Sequence, residues 1–150
     1  VFRRIGFTAL ALVAALTFSA CSPATGGNPD MDAAAIQSDL TAIDGVADAE
    51  VGFYNTGAPG RNALSTKLVV DETGLADLST VLYAAIDVIA EQAPGWSSYE
   101  FSVAGLDDTS PTGRRGLNVD DYVTPEQMPY GTLGTSLTLT PDELQQAADS

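Results

Sequence analysis

The chain has 150 residues, with 6 Lys plus Arg against 20 Asp plus Glu, one Cys and no His, giving a formal net charge of −14. Without His there is no imidazole triad and no His-based metal site, and one Cys excludes an internal disulfide and a multi-thiolate zinc centre. From Cys21 onward four basic side chains face twenty acids, a balance of −16 that repels nucleic-acid phosphates, so nucleic acid is not expected as a partner.

The first predicted element is an N-terminal leader. Arg3 and Arg4 supply a short positive region, and Ile5 to Ala20 follows with sixteen uncharged residues. That run is shorter than the ~20 residues a spanning helix needs. Its length, position and preceding charge fit a secretory signal peptide over residues 1–20. The leader ends in Phe18-Ser19-Ala20-Cys21. This order resembles the lipobox of bacterial lipoproteins. The resemblance covers about the first twenty-one residues. It implies that Phe18, Ser19 and Ala20 are read by the signal peptidase, that cleavage falls before Cys21, and that the Cys21 sulfur carries a diacylglyceryl group. It also implies the outer side of a cell membrane as location. Two acyl chains anchor durably, each buried CH₂ contributing ~0.8 kcal/mol. Residues 22–30, SPATGGNPD, are small, polar and Pro/Gly-rich, so they read as a flexible tether of at most about 30 Å.

Residues 31–150 are long enough for one domain with its own core. Asp30 is the expected N-cap of a helix over Ala33 to Ile43, with Ile36, Leu40 and Ile43 on one face and Gly45 as its stop. Ala49 to Tyr54 alternates and predicts a strand, Asn55 to Asn62 a loop, and Leu64 to Val70 a second strand, together a hairpin. Lys67 falls on the polar side of the second strand, where it reads as an edge lysine that blocks pairing. Leu75 to Ala93 predicts one long helix with Leu75, Leu78, Leu82, Ala85, Ile89 and Ala93 as its apolar stripe, closed by Pro94-Gly95. Tyr99, Phe101 and Val103 alternate with Glu100 and Ser102 as a third strand. The expected fold class is α+β, a small mainly antiparallel sheet with helices on one face, built on a helix-strand-strand-helix-strand core. A loop-rich C-terminal part follows. It holds a polar loop over 107–116, a short strand from Leu117 to Val123, one helical turn opened by Thr124-Pro125-Glu126-Gln127, and a strand over Thr135 to Leu139. A terminal helix then begins at the capping-box pattern Thr140-Pro141-Asp142-Glu143.

Sites of chemistry are sparse in this pattern. No nucleophile-elbow or Ser-x-x-Lys motif is present. The acid pairs Asp71-Glu72, Asp107-Asp108 and Asp120-Asp121 lack the spacing of a calcium loop and read as solvated or capping carboxylates. No catalytic residue, metal or cofactor is expected. Arg114 and Arg115 form the one adjacent cationic pair in the acidic body; they contact an anionic or acidic partner, or pair locally with Asp107, Asp108 or Asp120. Trp96, Tyr99, Tyr122 and Tyr130 are read either as core and rim packing or as the lining of a groove. The expected function is a membrane-anchored, non-enzymatic binding module of the cell envelope, acting on an unidentified envelope protein or ligand through its sheet or loop face. The alternative is an envelope hydrolase that works through a pair of carboxylates.

Overall fold

The computed structural model describes residues 31–106 and 116–150. The leader, Phe18, Ser19, Ala20, Cys21, the tether with Asp30, and the Arg114-Arg115 pair lie outside the described residues.

Helix α1 spans Ala33–Thr41 and is capped by Asp32, whose carboxylate accepts from the Ala35 N–H at 3.1 Å. The cap is Asp32 and not Asp30, because an N-cap oxygen reaches the amide three residues on. The helix buries Ile36 and Leu40 and stops two residues before Ile43. Strand β1, Val46–Asn55, and strand β2, Asn62–Val70, then form the expected antiparallel hairpin, with one irregularity between Val46 and Asp48. Both strands run longer than their apolar alternation suggests, since pairing continues through polar ends.

The predicted helix from Leu75 to Ala93 is two helices. Helix α2 spans Glu72–Ala76 and helix α3 spans Leu78–Gln92, with Asp77 between them in a non-helical conformation. Asp71 caps α2 by accepting from the Gly74 N–H at 2.9 Å. Gly74 in turn lies against the backbone of Gly45, and a Cβ on either residue would collide with the other's main chain. This backbone contact holds α2 at the start of β1, while α3 crosses the sheet as the central helix. The stripe survives the break: Leu78, Val81, Leu82, Ala85, Ile86 and Ile89 are all buried.

Strand β3, Ser98–Gly105, pairs parallel to β2, as a strand reached through a crossover helix must. Its other side is shared. Strand β4, Gly116–Leu117, pairs with the second half of β3, and strand β6, Leu137–Leu139, pairs antiparallel with the first half. Strand β5, Thr132–Leu133, lies beyond β6, giving the order β1-β2-β3-β6-β5. The sheet is therefore mixed and mostly antiparallel, and the α+β class holds.

The strand expected over Leu117 to Val123 is only Gly116–Leu117; Val119–Asp121 is a 3₁₀ turn. Val119 and Val123 are both buried, and the Val123 N–H donates to the Val119 carbonyl at 3.0 Å. Residues four apart share a face in a strand and in a helix alike, so the burial of the two valines fits either; the bonds from the Tyr122 and Val123 N–H groups back to the Val119 carbonyl make it a helical turn. Helix α4, Pro141–Ala148, has the full capping box: the Thr140 hydroxyl accepts from the Glu143 N–H, and the Glu143 carboxylate accepts from the Thr140 N–H at 2.8 Å. Residues 124–128 form a turn in which the Gln127 side chain accepts from the Thr124 N–H at 3.0 Å.

One cluster joins these elements. Leu64, Leu68, Phe101, Val103, Leu137 and Leu139 from the sheet pack against α1, α3 and α4. Among the described residues no helix is long and apolar enough to cross a membrane.

Candidate interaction surface

Alternation along each strand sends one set of side chains into the core and the other set to the opposite face of the sheet. On β1 that second set is Asp48, Glu50, Gly52 and Tyr54; on β2 it includes Ser65 and Lys67; on β3 it includes Glu100 and Ser102. The register sorts them into rows. Glu50 lies opposite Lys67, and Lys67 opposite Ser102. The next row runs Gly52, Ser65, Glu100, Thr138 and Thr132 across five strands. Lys67 therefore occupies a central strand, flanked on both sides. It is not the edge lysine expected from the sequence, because the parallel pairing of β2 with β3 covers the edge it was assigned to.

Glu100 sits in the middle of this polar face and is held from two directions. The Tyr54 hydroxyl donates to its Oε2 at 2.8 Å, and the Ser136 hydroxyl donates to its Oε1 at 3.1 Å. Tyr54 is 46% exposed, so its ring lies across the sheet surface from β1 towards β3. Its hydrogen bond to Glu100, with burial and the carboxylate's negative charge adding, pushes the Tyr54 phenol above its ordinary range. Gly52, beside it, leaves an opening: a Cβ there would meet nothing within 4 Å. Two shallow depressions result. One, of about 250 Å³, lies over Gly52 between Glu50, Tyr54, Ser65, Lys67 and Ser102, and the other, of about 210 Å³, lies between Asp48, Glu50, Lys67 and Val69. Such a surface offers hydrogen bonds and charge to an incoming chain, with no enclosed volume for a small molecule.

A larger hollow, of about 610 Å³, opens at the ends of β2 and β3, between Val70, Asp71, Thr73, Leu75, Leu106 and Leu117. It is walled mainly by aliphatic side chains. Of its two carboxylates, Asp71 and Glu72, Asp71 is already engaged as the α2 cap. Among the described residues no group of three or more Asp, Glu, His or Cys is placed to hold a metal ion.

The aromatic residues divide. Trp96 and Tyr99 belong to the core, where Phe53 stacks on Trp96 at a centroid distance of 5.4 Å and the Tyr99 hydroxyl donates to the Ala93 carbonyl at 3.3 Å. Tyr122 is exposed and Tyr130 half-buried. The acid pair Asp71-Glu72 is a helix start, and Asp120-Asp121 sits in the 3₁₀ turn, where Asp121 accepts from the Asn118 side chain at 3.3 Å. The Tyr54–Glu100–Ser136 connection was not legible in the sequence. Its three members come from β1, β3 and the residue preceding β6, and only the register brings them together. The available signal was the alternation that put Tyr54 and Glu100 on polar positions.

Comparison with protein-family models, with characterised proteins and with solved structures finds no match to this chain.

Proposed function

We propose that this chain is an exported lipoprotein, held on the outer face of a cell membrane by diacylglyceryl on Cys21, and that its body is a non-enzymatic binding module. The observation that carries the reading is the order of the first twenty-one residues: Arg3-Arg4, an uncharged run, then Ser19-Ala20-Cys21. The small residues suit a peptidase that cuts before the thiol, and the thiol is the group that takes the lipid. The tether of residues 22–30 would keep the acidic body near the membrane without pressing it onto anionic headgroups.

The geometry of the body is in keeping with binding. Its polar sheet face is shallow and lined by hydroxyl, carboxylate and ammonium groups, a surface suited to contact with another chain. The hollow at the ends of β2 and β3 offers Asp71 and Glu72 as neighbours on one helix start, with Asp71 committed to the Gly74 N–H. A two-carboxylate hydrolysis needs a pair facing each other across a substrate. The anchor is tested in cells by replacing Cys21 with Ala. Wild type should label with radioactive palmitate and stay with membranes through a high-salt wash, and Cys21→Ala should do neither. A Cys21→Ala protein that remains equally membrane-bound overturns the reading.

A further inference from the structure

Among the described residues the sheet ends in two unlike edges. Strand β5 has 2 residues, and a short edge strand is a common protection against unwanted pairing. Strand β1 has 10 residues and stands last in the strand order, with β2 on one side only. The direction of its backbone groups follows from the hydrogen bonds at the hairpin end. Asn62 turns towards the β3 side, since its N–H donates to the Ser97 hydroxyl at 3.2 Å and its carbonyl accepts from the Ser97 N–H at 3.0 Å. Its partner Asn55 is therefore turned away from β2. One step on, the Thr56 N–H donates to the Arg61 carbonyl at 3.1 Å, so the bonded positions alternate from there. Tyr54, Gly52 and Glu50 point their backbone groups at β2. Asn55, Phe53 and Val51 point theirs outward. The next outward donor, the Ala49 N–H, is taken by the Asp48 carboxylate at 3.0 Å.

The stretch from Val51 to Asn55 is thus a regular strand edge with no proline, and the one register irregularity of β1 lies before it. An extended peptide can add to such an edge through main-chain hydrogen bonds, with alternate side chains setting specificity. Charge chooses the occupant. A second copy would bring a body of −16 against a body of −16. On the polar face, Glu50 already lies opposite Lys67 on its β2 side, and a cation on the added strand would repeat that pairing on the outer side. The open space over Gly52 accommodates a long neighbouring side chain.

Resting on the binding-module reading, we propose that the outer edge of β1 between Val51 and Asn55 takes a basic extended peptide as an added strand, with Lys or Arg at alternate positions beside Glu50. The test uses the full chain in zwitterionic detergent and a heptapeptide alternating Lys with Val. Amide resonances of Val51, Phe53 and Asn55 should shift on titration and gain protection from exchange. The same peptide N-methylated on the amides that face β1 should bind at least about tenfold more weakly, since several hydrogen bonds are lost. Glu50→Lys should weaken binding about fivefold, and a Glu/Val peptide should not bind. Absence of the three amide shifts, equal binding of the N-methylated peptide, or a dimer formed through this edge each overturns the proposal. Palmitate labelling of the same preparation reads the Cys21 anchor separately, so failure of the peptide leaves that result standing.

Discussion

Consecutive residues of β3 live in different surroundings. Phe101 is fully buried in the core cluster, opposite Thr66 and Leu137 on the neighbouring strands, whereas Glu100 and Ser102 on either side of it are half-buried on the polar face. The same contrast runs across the sheet. The covered face is stabilised by apolar area removed from water, at roughly 25 cal/mol per Å², and a polar group buried there without a partner is costly. The other face is organised by hydrogen bonds and charge between neighbouring strands, each contributing little because water competes. A binding surface on such a sheet is free to vary without endangering the fold, since the two faces draw on different forces.

The sharpest test of that contrast is a pair of substitutions one residue apart. Phe101→Ala should cost about 3–5 kcal/mol, whereas Ser102→Ala should fall within about 0.5 kcal/mol of wild type in chemical denaturation. A large loss at Ser102 would show that the polar face also supports the core.

Gly74→Ala probes where helix and sheet meet through backbone alone. An added methyl collides with the Gly45 main chain, and the expected cost is about 1–3 kcal/mol despite the better helix propensity of alanine. A neutral outcome would mean that α2 shifts freely against β1.

Thr140→Ala removes the α4 cap, and the expected loss is about 0.5–2 kcal/mol. The same cap carries a pH signature. The Thr140 N–H, and then its hydroxyl, hold the Glu143 carboxyl below its ordinary range. A carboxyl lowered on folding contributes stability above its ordinary pKa and loses it as the pH falls through the lowered value. Stability measured across that acid window should therefore slope less steeply in Thr140→Ala than in wild type.

The smallest effect belongs to the polar face. Tyr54 should titrate above the ordinary tyrosine range, and Glu100→Gln should bring it down, both read by ultraviolet difference titration. Because the phenol is raised on folding, its contribution to stability is present below its ordinary pKa and is lost as the pH rises through the raised value. An unchanged Tyr54 titration in Glu100→Gln would mean that the hydrogen bond is not kept in solution.

Several elements were readable because their causes are local. Thr140 and Glu143 announce α4 three residues apart, the spacing that lets each side chain reach the other's amide. The hairpin of β1 and β2 follows from two alternating runs around Gly57, Pro59 and Gly60. The break at Asp77 was hidden for a physical reason. Leu75, Leu78 and Leu82 keep helical spacing straight through it, while the contact that holds α2 apart involves Gly45, far away in the chain. Val119 and Val123 misled in the opposite direction, since an apolar segment that short serves a strand or a turn equally well.

The sequence by itself determined which side of β1, β2, β3 and β6 is apolar, where α1 and α4 begin within a residue or two, and the leader order on which the proposed Cys21 anchor rests. Only the tertiary structure decided who lies beside whom. It placed Lys67 on an inner strand, brought Tyr54 and Ser136 to the Glu100 carboxylate, inserted β6 between β3 and β5, and left β1 at the rim. Alternation records burial residue by residue, but the order of strands depends on pairings between distant segments. Those pairings are selected by how all the apolar faces close over one core at once.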